Sequence, residues 1–312
     1  MPRNHGVPFM TDLGGKVLLT GSTGFVGKHL VPDLQAAGYT VIQPTRVEIG
    51  EIDGNTDWHP YLDDIDTVIH LANRAHVMNE TSENPIDIYR EVNLHGTENL
   101  ARQAAEKGAR RFIYLSSVKT MGEESQHPLS ADDELAPCDP YGVSKAEAEE
   151  ALLRYAGRME IVILRPPLVY GPQVKGNFIA LLRLLTRGLP LPVGAIKNRR
   201  SMIYVKNLTH AISHAIHCLP GIYLPSDQHD LSTPELFRLT AKALGYPARL
   251  LPVPVAALKM AGRLSGRSNM IQRLTESLTV DGKIPGWMPI YSPEEGLKET
   301  ADWYRGHRQD IS

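Results

Sequence analysis

Residues 16–27 read KVLLTGSTGFVG, and this stretch decides the fold. Its first five residues form a short, mostly apolar run that predicts a strand, and glycines then recur at every third position. From His29 to Ala37 the pattern predicts a helix, which Gly38 ends. A strand, a glycine turn and a helix in this order are typical of α/β folds that bind a dinucleotide, because the glycines let a pyrophosphate approach the helix N-terminus. The spacing is G-x-x-G-x-x-G rather than G-x-G-x-x-G, so a glycine turn that serves packing alone is the alternative.

Strands and helices alternate through the next hundred residues. The predicted elements are strands at 39–43, 47–52, 66–71 and 111–115, with a long helix at 86–107. This alternation predicts an α/β protein with a doubly wound parallel sheet and right-handed crossovers. Such sheets bind ligands at the carboxyl edge of their strands, where Ser116 and Ser117 follow the strand at 111–115.

The composition narrows the functional classes. The chain has 312 residues, 42% of them hydrophobic, and a net charge of −2 from 33 basic and 35 acidic residues. Because the sequence has no block of like charge and no apolar run of about 20 residues, we expect neither a nucleic-acid nor a membrane partner. Cys138 and Cys218 lack metal-ligand spacing, so we expect no metal site and a cytoplasmic location with free thiols. Residues 1–14 are predicted to be an N-terminal extension without the apolar core of a signal peptide.

A second motif, DPYGVSK at residues 139–145, contains candidate catalytic groups. Pro140 suits the first turn of a helix, so Tyr141 and Lys145 lie one turn apart on the same face. A neighbouring ammonium lowers the pKa of a tyrosine, and a bound nicotinamide cation acts in the same direction. Such a tyrosine exchanges a proton with an alcohol or a ketone while hydride moves to or from the carbon. Taken alone, a Tyr-x-x-x-Lys pattern also arises by chance on solvated helix faces.

The end of the second predicted strand bears on the choice of dinucleotide. NAD-binding units of this type place an acidic residue there to hold the ribose 2′-hydroxyl, whereas this chain has Pro44, Thr45 and Arg46. Arg46 is able to face a 2′-phosphate, which slightly favours NADP over NAD; a solvated arginine is the alternative. The third predicted strand, at 47–52, places Glu51 and Ile52 near the adenine.

Together these motifs resemble those of the extended short-chain dehydrogenase/reductases, in the nucleotide-sugar epimerase/dehydratase group. The resemblance covers about residues 16–304 and rests on motifs in a characteristic order: the glycine turn at 21–27, His70-Leu71-Ala72, Asn93, Ser116-Ser117, Tyr141 with Lys145, and RPPLVYGP at 165–172. It implies a Rossmann domain at 15–170 and a smaller C-terminal α/β substrate lobe at 171–312, with segments near 200–220 returning to the first domain. It also implies a homodimer built from the helices near 86–107 and 141–156.

The resemblance further implies roles for individual residues. The implied catalytic residues are Ser117, Tyr141 and Lys145. The implied cofactor contacts are Gly21, Thr23, Gly24, Phe25, Val26, Gly27, Arg46, Glu51, Ile52, Leu71, Ala72, Asn93, Tyr141, Lys145 and Pro167. The implied substrate contacts are Ser117, Asn177, Arg200 and Arg273, with the planar guanidinium of Arg200 holding the nucleotide diphosphate. A surface turn with solvated arginines is the alternative for the segment around Arg200.

Three functions fit the resemblance, and a fourth is excluded. The 4,6-dehydratases look like Thr-Asp-Glu after the first catalytic position, whereas this chain has Val118 and Lys119, which lack the required acids. The expected function is reduction of a UDP-4-keto-6-deoxy-N-acetylhexosamine at C4 with NAD(P)H, in surface polysaccharide biosynthesis. A UDP-hexose 4-epimerase uses the same three catalytic residues and is the alternative. A cofactor-binding sensor without catalysis is the third hypothesis, because a fold alone does not determine function.

Overall fold

A six-stranded parallel sheet forms the centre of the protein, described here from a computed structural model over residues 14–75 and 84–307. The strand order is β2-β1-β3-β4-β5-β8, and β6 and β7 form a separate parallel pair. The strands are β1 (Lys16–Thr20), β2 (Thr40–Ile42), β3 (Thr67–His70), β4 (Arg111–Leu115), β5 (Glu160–Leu164), β6 (Leu168–Tyr170), β7 (Met202–Tyr204) and β8 (Gly221–Tyr223). The predicted doubly wound α/β fold of Rossmann type is therefore confirmed.

Helices cover the sheet and build the rest of the chain. In order they are α1 (Phe25–Ala36), α2 (Arg46–Ile49), α3 (Pro85–Arg90), α4 (Gly96–Glu106), α5 (Pro140–Leu153), α6 (Asn177–Thr186), α7 (Val205–Ala215), α8 (Thr233–Leu244), α9 (Val255–Leu264), α10 (Ser268–Thr275) and α11 (Pro293–Gly306). A π-helical turn, Glu91–His95, joins α3 to α4, so the predicted long helix at 86–107 is present with a local widening.

Apolar side chains fill both faces of the large sheet. On one face, leucines of α1 and α7 such as Leu30 and Leu208 pack against Leu19 and Ile113 of the strands. On the other face, Leu100 of α4 and Leu152 of α5 pack with Leu18, Phe112 and Tyr114. Because each strand is buried on two sides, its sequence is a continuous apolar run rather than an alternating one. Burying each such leucine contributes about 1.5–3 kcal/mol to folding.

The C-terminal elements form a second core beside the small parallel pair. Phe178 and Leu182 of α6, Phe237 of α8 and Leu297 of α11 are buried there together with Tyr170. The ring of Tyr170 stacks on Phe178 with centroids 5.6 Å apart, and its hydroxyl donates to Asp227 Oδ2 at 2.8 Å. β8 and α7 leave this part of the chain and pack against β5 and α1 of the large sheet.

The predicted third strand at 47–52 is wrong, because this segment begins with the short helix α2. Thr45 and Glu48 form a capping box, in which the Thr45 backbone N–H donates to Glu48 Oε2 at 2.7 Å. Gly50 then ends the helix with a φ of +74°. The local capping interaction outweighs the apolar alternation of Val47 and Ile49. The third strand of the sheet is instead β3, which pairs with β1 on the side opposite to β2.

One predicted helix start also shifts. The first helix begins at Phe25 rather than His29, because Gly24 serves as its N-cap and the whole glycine turn leads directly into it. Ser232 caps α8 through a capping box with Glu235. Of the predicted N-terminal extension at 1–14, residues 1–13 lie outside the described residues. Within the described ranges no helix is both long and apolar enough to cross a bilayer.

Candidate active site

The glycine turn between β1 and α1 leaves room for a ligand and has the backbone geometry to hold one. Gly21 has a φ of +73°, and a Cβ on it would lie 2.7 Å from the backbone nitrogen of Ala72. A Cβ on Gly27 would lie 2.2 Å from the Gly21 carbonyl oxygen. Thr23 and Gly24 are exposed, and Phe25 and Val26 open the first turn of α1. This cradle fits the pyrophosphate of a dinucleotide, which the N–H groups of the helix N-terminus would hold.

The other predicted cofactor residues surround the carboxyl edge of the sheet. Leu71 and Ala72 directly follow β3, and the Ala72 backbone N–H donates to Thr20 Oγ1 at 3.2 Å. Pro167 is buried between β5 and β6. Asn93 lies in the π-helical turn, where its Oδ1 accepts from the Arg74 backbone N–H at 2.8 Å and its Nδ2 donates to Ser144 Oγ at 3.0 Å. Asn93 thus fixes the segment after β3 to α5.

Arg46, Glu51 and Ile52 lie past the end of β2. Arg46 Nη1 is 3.2 Å from Glu51 Oε1, and both side chains are mostly exposed. Ile52 is buried and packs against Gly96 at the start of α4. Because an acidic partner faces Arg46, its charge is partly neutralised, which weakens the argument for a 2′-phosphate.

The three predicted catalytic residues come from the end of β4 and the start of α5. Ser117 follows β4 by two residues, and its Oγ accepts from the Lys119 backbone N–H at 3.3 Å. α5 begins at Pro140 as predicted, with the Asp139 carboxylate accepting from the Gly142 backbone N–H at 2.7 Å. The Ser117 side chain lies near enough to Tyr141 to lower the pKa of the tyrosine hydroxyl. The structure therefore brings Ser117 to the tyrosine that the sequence placed on a different element.

Lys145 is buried one turn further along α5. Its Nζ donates to the Leu115 carbonyl oxygen at 2.7 Å and lies 4.1 Å from the centroid of the Tyr114 ring. Burial lowers the pKa of Lys145 to about 7, and the charge of Glu149 acts in the opposite direction. A carbonyl oxygen and the face of an aromatic ring both attract a cation, so these two contacts offset part of the cost of burying the protonated amine.

The expectation that Lys145 lowers the pKa of Tyr141 is not met. Burial raises the pKa of Tyr141 above its ordinary value, the charge of Asp139 adds to the increase, and the neighbouring Ser117 side chain opposes it. The physical reason is the orientation of Lys145, whose ammonium group is engaged by Leu115 and Tyr114. A positive charge placed beside Tyr141 would move its pKa in the downward direction.

The predicted phosphate-binding arginines lie close together on the substrate side. Arg200 Nη1 donates to the carbonyl oxygens of Arg273 and Glu276 at 3.1 and 3.2 Å. Burial lowers the pKa of Arg200, the charge of Glu123 opposes this decrease, and the like charge of Arg273 adds to it. Glu123 holds Arg273 at 3.0 Å and Lys119 at 3.2 Å, and so connects these arginines to the catalytic segment. Lys119 also pairs with Asp139.

Asn177 is the first residue of α6 and is exposed. Among the described residues no hydrogen bond joins the Asn177 side chain to Arg200 or Arg273, so its role as a substrate contact stays a prediction. The described residues also contain no cluster of metal-ligating side chains.

Sequence reasoning missed Glu123 and Glu149. Glu149 lies four residues after Lys145, and Arg165, its buried partner, is the first residue of the RPPLVYGP motif. The sequence contains a usable signal for Glu149, since it follows Lys145 by four residues and i and i+4 residues share a helix face. The pairing of Glu123 with Arg273 has no comparable signal, because the two residues are 150 positions apart.

Comparison with known proteins identifies the family. The family model described as "NAD dependent epimerase/dehydratase family" matches residues 17–220. The chain belongs to this family. The family's catalytic residues, as the resemblance implies them, correspond to Ser117, Tyr141 and Lys145, and the predicted membership in the extended short-chain dehydrogenase/reductases is confirmed. The protein is accordingly an enzyme of the NAD-dependent epimerase/dehydratase type.

Individual relatives extend over nearly the whole chain. A UDP-glucose 4-epimerase from Vibrio cholerae is 43% identical over 308 residues, covering 91% of this chain and 94% of the relative. An N-acetyl-α-D-glucosaminyl-diphospho-ditrans,octacis-undecaprenol 4-epimerase from Escherichia coli O157:H7 is 28% identical and covers 96% and 99%. Among solved structures, a UDP-glucuronic acid 4-epimerase from Bacillus cereus in complex with NAD has a TM-score of 0.75 at 21% identity, with coverage of 94% and 98%. This last similarity supports the fold alone.

Proposed function

We propose that the protein is a UDP-hexose 4-epimerase that uses NAD. The observation that carries this proposal is the 43% identity, over nearly the full length of both chains, to the UDP-glucose 4-epimerase of Vibrio cholerae. The reductase that the sequence favoured is the second candidate. The missing acidic residue near Thr45 mildly favours the reductase, and the ion pair between Arg46 and Glu51 weakens that argument.

The chemistry is a reversible oxidation at C4 of the sugar. NAD would supply the hydride acceptor at C4 and, in its reduced form, the hydride donor for the return reaction. Tyr141 takes the proton of the C4 hydroxyl as the ketone forms and gives it back when the alcohol is restored, so no net oxidation occurs. Ser117, which lies beside Tyr141, would orient the same oxygen.

Two further groups support this proton transfer. Lys145 is buried one helical turn from Tyr141, and its protonated form would favour the phenolate. Burial raises the pKa of Tyr141, so proton abstraction by this residue needs a positive charge nearby. A bound nicotinamide cation would act in the same direction as Lys145.

Arg200 and Arg273 are proposed to bind the diphosphate of the UDP-sugar. The two guanidinium groups repel one another, Arg200 is half-buried, and the Glu123 carboxylate offsets part of the repulsion. An anionic diphosphate beside them would reduce the repulsion further and accept bidentate hydrogen bonds. Asn177, exposed at the start of α6, is proposed as a further substrate contact.

A product assay with a cofactor balance tests the proposal. Purified protein is incubated with UDP-glucose or UDP-N-acetylglucosamine, and the C4 epimer is quantified by NMR while the absorbance of reduced nicotinamide is followed. We expect epimer to accumulate to equilibrium without net formation or consumption of NADH. Failure to epimerise either sugar, combined with stoichiometric loss of NADPH on addition of a UDP-4-keto-6-deoxy sugar, would instead establish the reductase.

A further inference from the structure

A buried ion pair lies directly behind the catalytic lysine. Arg165 Nη2 and Nε donate to Glu149 Oε2 at 2.6 and 3.0 Å, and Ser116 Oγ donates to Glu149 Oε1. The exposed fractions of Glu149, Arg165 and Ser116 are 1%, 3% and 4%. Placing two charges in the interior costs several kcal/mol per ion, and replacing such a pair with apolar residues is often neutral or stabilising. A contribution to the stability of the fold is therefore a weak explanation for the presence of this buried ion pair.

The pair joins the three elements that carry the active site. Glu149 lies one turn after Lys145 on α5, Ser116 precedes Ser117 at the end of β4, and Arg165 follows β5. The Ser116 backbone N–H also donates to the Leu164 carbonyl oxygen at 2.8 Å. A shift of the Glu149 carboxylate would consequently move both sides of the catalytic site.

The charged and titratable groups around Lys145 come from three strands and its own helix. Tyr114 of β4 presents the face of its ring, and His70 of β3 is neutral because burial lowers its pKa to about 3. On α5 itself lie Tyr141, whose pKa is raised, and Glu149, whose charge opposes the loss of the Lys145 proton. Arg165, after β5, donates two hydrogen bonds to Glu149 Oε2.

We propose that Glu149, held by Arg165 and Ser116, is a positioning residue that keeps Lys145 cationic inside the protein and aligns the Ser116–Ser117 segment with it. Glu149 does not touch substrate or cofactor in this scheme and acts through Lys145. The proposal rests on the proposed function insofar as Lys145 must be cationic during catalysis. The protonation of Lys145 itself is observable without any substrate.

The direct test is a titration of Lys145 by NMR of protein labelled at the lysine ε-carbon. The wild type, Glu149→Gln and Glu150→Gln are compared, and Lys145→Met identifies the resonance. Glu150 is exposed and adjacent on the same helix, so it provides a matched control for the same chemical change. We expect the Lys145 midpoint to fall by about one pH unit or more in Glu149→Gln, which is the usual effect of removing a close opposite charge, and to stay in place in the control. An unchanged midpoint in Glu149→Gln would overturn the proposal, whatever the enzyme acts on.

A second variant separates this role from a structural one. Glu149→Gln leaves Arg165 buried without a counter-charge, so it can fail by unfolding. The double variant Glu149→Gln/Arg165→Met removes both charges and keeps a neutral interior. We expect it to fold with the lowered Lys145 midpoint, and the alkaline limb of its kcat/KM profile to move to lower pH by the same amount. Recovery of the wild-type midpoint and profile in the double variant would show that the pair serves packing only.

Glu149→Asp provides the conservative comparison. It retains the charge on a shorter side chain, so the Lys145 midpoint is expected to remain closer to the wild type than in Glu149→Gln. A lowering of kcat at unchanged KM would accompany the loss of alignment at Ser117. If Asp and Gln variants titrate alike, the charge of Glu149 has no influence on Lys145.

Discussion

At the scale of single residues, Tyr141 is the group on which turnover depends most. We expect Tyr141→Phe to lower kcat by about 100-fold to 10,000-fold, because it removes the proton-transferring hydroxyl while retaining the ring. The affinity for NAD, measured by titration calorimetry, should change little. Tyr61→Phe is the matched control on a partly exposed turn far along the chain. Unaltered sugar conversion by Tyr141→Phe would favour the non-catalytic sensor hypothesis.

The lowered pKa of Lys145 predicts a specific dependence of the free energy of unfolding on pH. Its pKa is about 7 in the cofactor-free folded protein, against an ordinary value of 10.5 in the unfolded chain. Between these values the unfolded chain binds more protons, so the contribution of Lys145 to stability increases as the pH rises through that window. Below about pH 7 the folded protein carries the full cost of a buried ammonium.

Lys145→Met tests this dependence, since it fills the site without a charge. We expect the variant to be more stable than the wild type at pH 6 in denaturant titrations, and its advantage to shrink towards pH 10. The loss of the hydrogen bond to Leu115 offsets this gain by only about 1 kcal/mol. If the difference in free energy of unfolding between the variant and the wild type does not vary with pH, the lowered pKa of Lys145 is contradicted. The same variant should be inactive. This outcome would be a trade-off between activity and stability, in which the group needed for function lowers the stability of the fold.

At the scale of elements, the glycine turn before α1 is expected to tolerate no side chain at position 27. In Gly27→Ala the new Cβ would clash with the Gly21 carbonyl oxygen, so α1 must move away from β1. We predict a loss of NAD affinity of at least about tenfold, measured by calorimetry, together with a lowered Tm. Gly157→Ala is the control, because a Cβ there meets no atom within 4 Å and its φ is not in the left-handed region. Equal NAD binding by both variants would show that the turn serves packing only.

The elements also show what could be predicted from the sequence. β1, β3 and β4 follow from continuous apolar runs, since burial on both faces leaves little ambiguity in such a pattern. The error at residues 47–52 arose because Val47 and Ile49 imitate strand alternation, while the capping pair of Thr45 and Glu48 was overlooked. Boundaries depend on such local side-chain bonds, and apolar periodicity does not encode them.

The site was predictable where its residues are close in sequence and not where they meet through the fold. Tyr141 and Lys145 follow from helical spacing, whereas the contact of Ser117 with Tyr141 requires β4 to lie beside α5. The link from Lys119 through Glu123 to Arg273 joins residues up to 150 positions apart. The raised pKa of Tyr141 depends on burial, which a motif does not reveal.

At the scale of the whole molecule, the predicted homodimer remains to be measured. The helices expected at the interface, α4 and α5, lie side by side and present charged side chains such as Glu98 and Arg154, 2.8 Å apart. We expect light scattering after size-exclusion chromatography to give twice the chain mass of 34.5 kDa. A single-chain mass at micromolar concentration would contradict the prediction.

β8 and α7 pack against the large sheet, and this arrangement constrains which segments can be exchanged between related enzymes. β8 supplies the sixth strand beside β5, and α7 covers the leucines of α1, although both come from chain beyond residue 200. A chimera joined at residue 170 would therefore combine a foreign outer strand and covering helix with a native sheet. A workable exchange of substrate specificity would have to leave residues 202–223 with the cofactor-binding parent and replace the segments on either side, so recombination between relatives needs at least two crossovers rather than one.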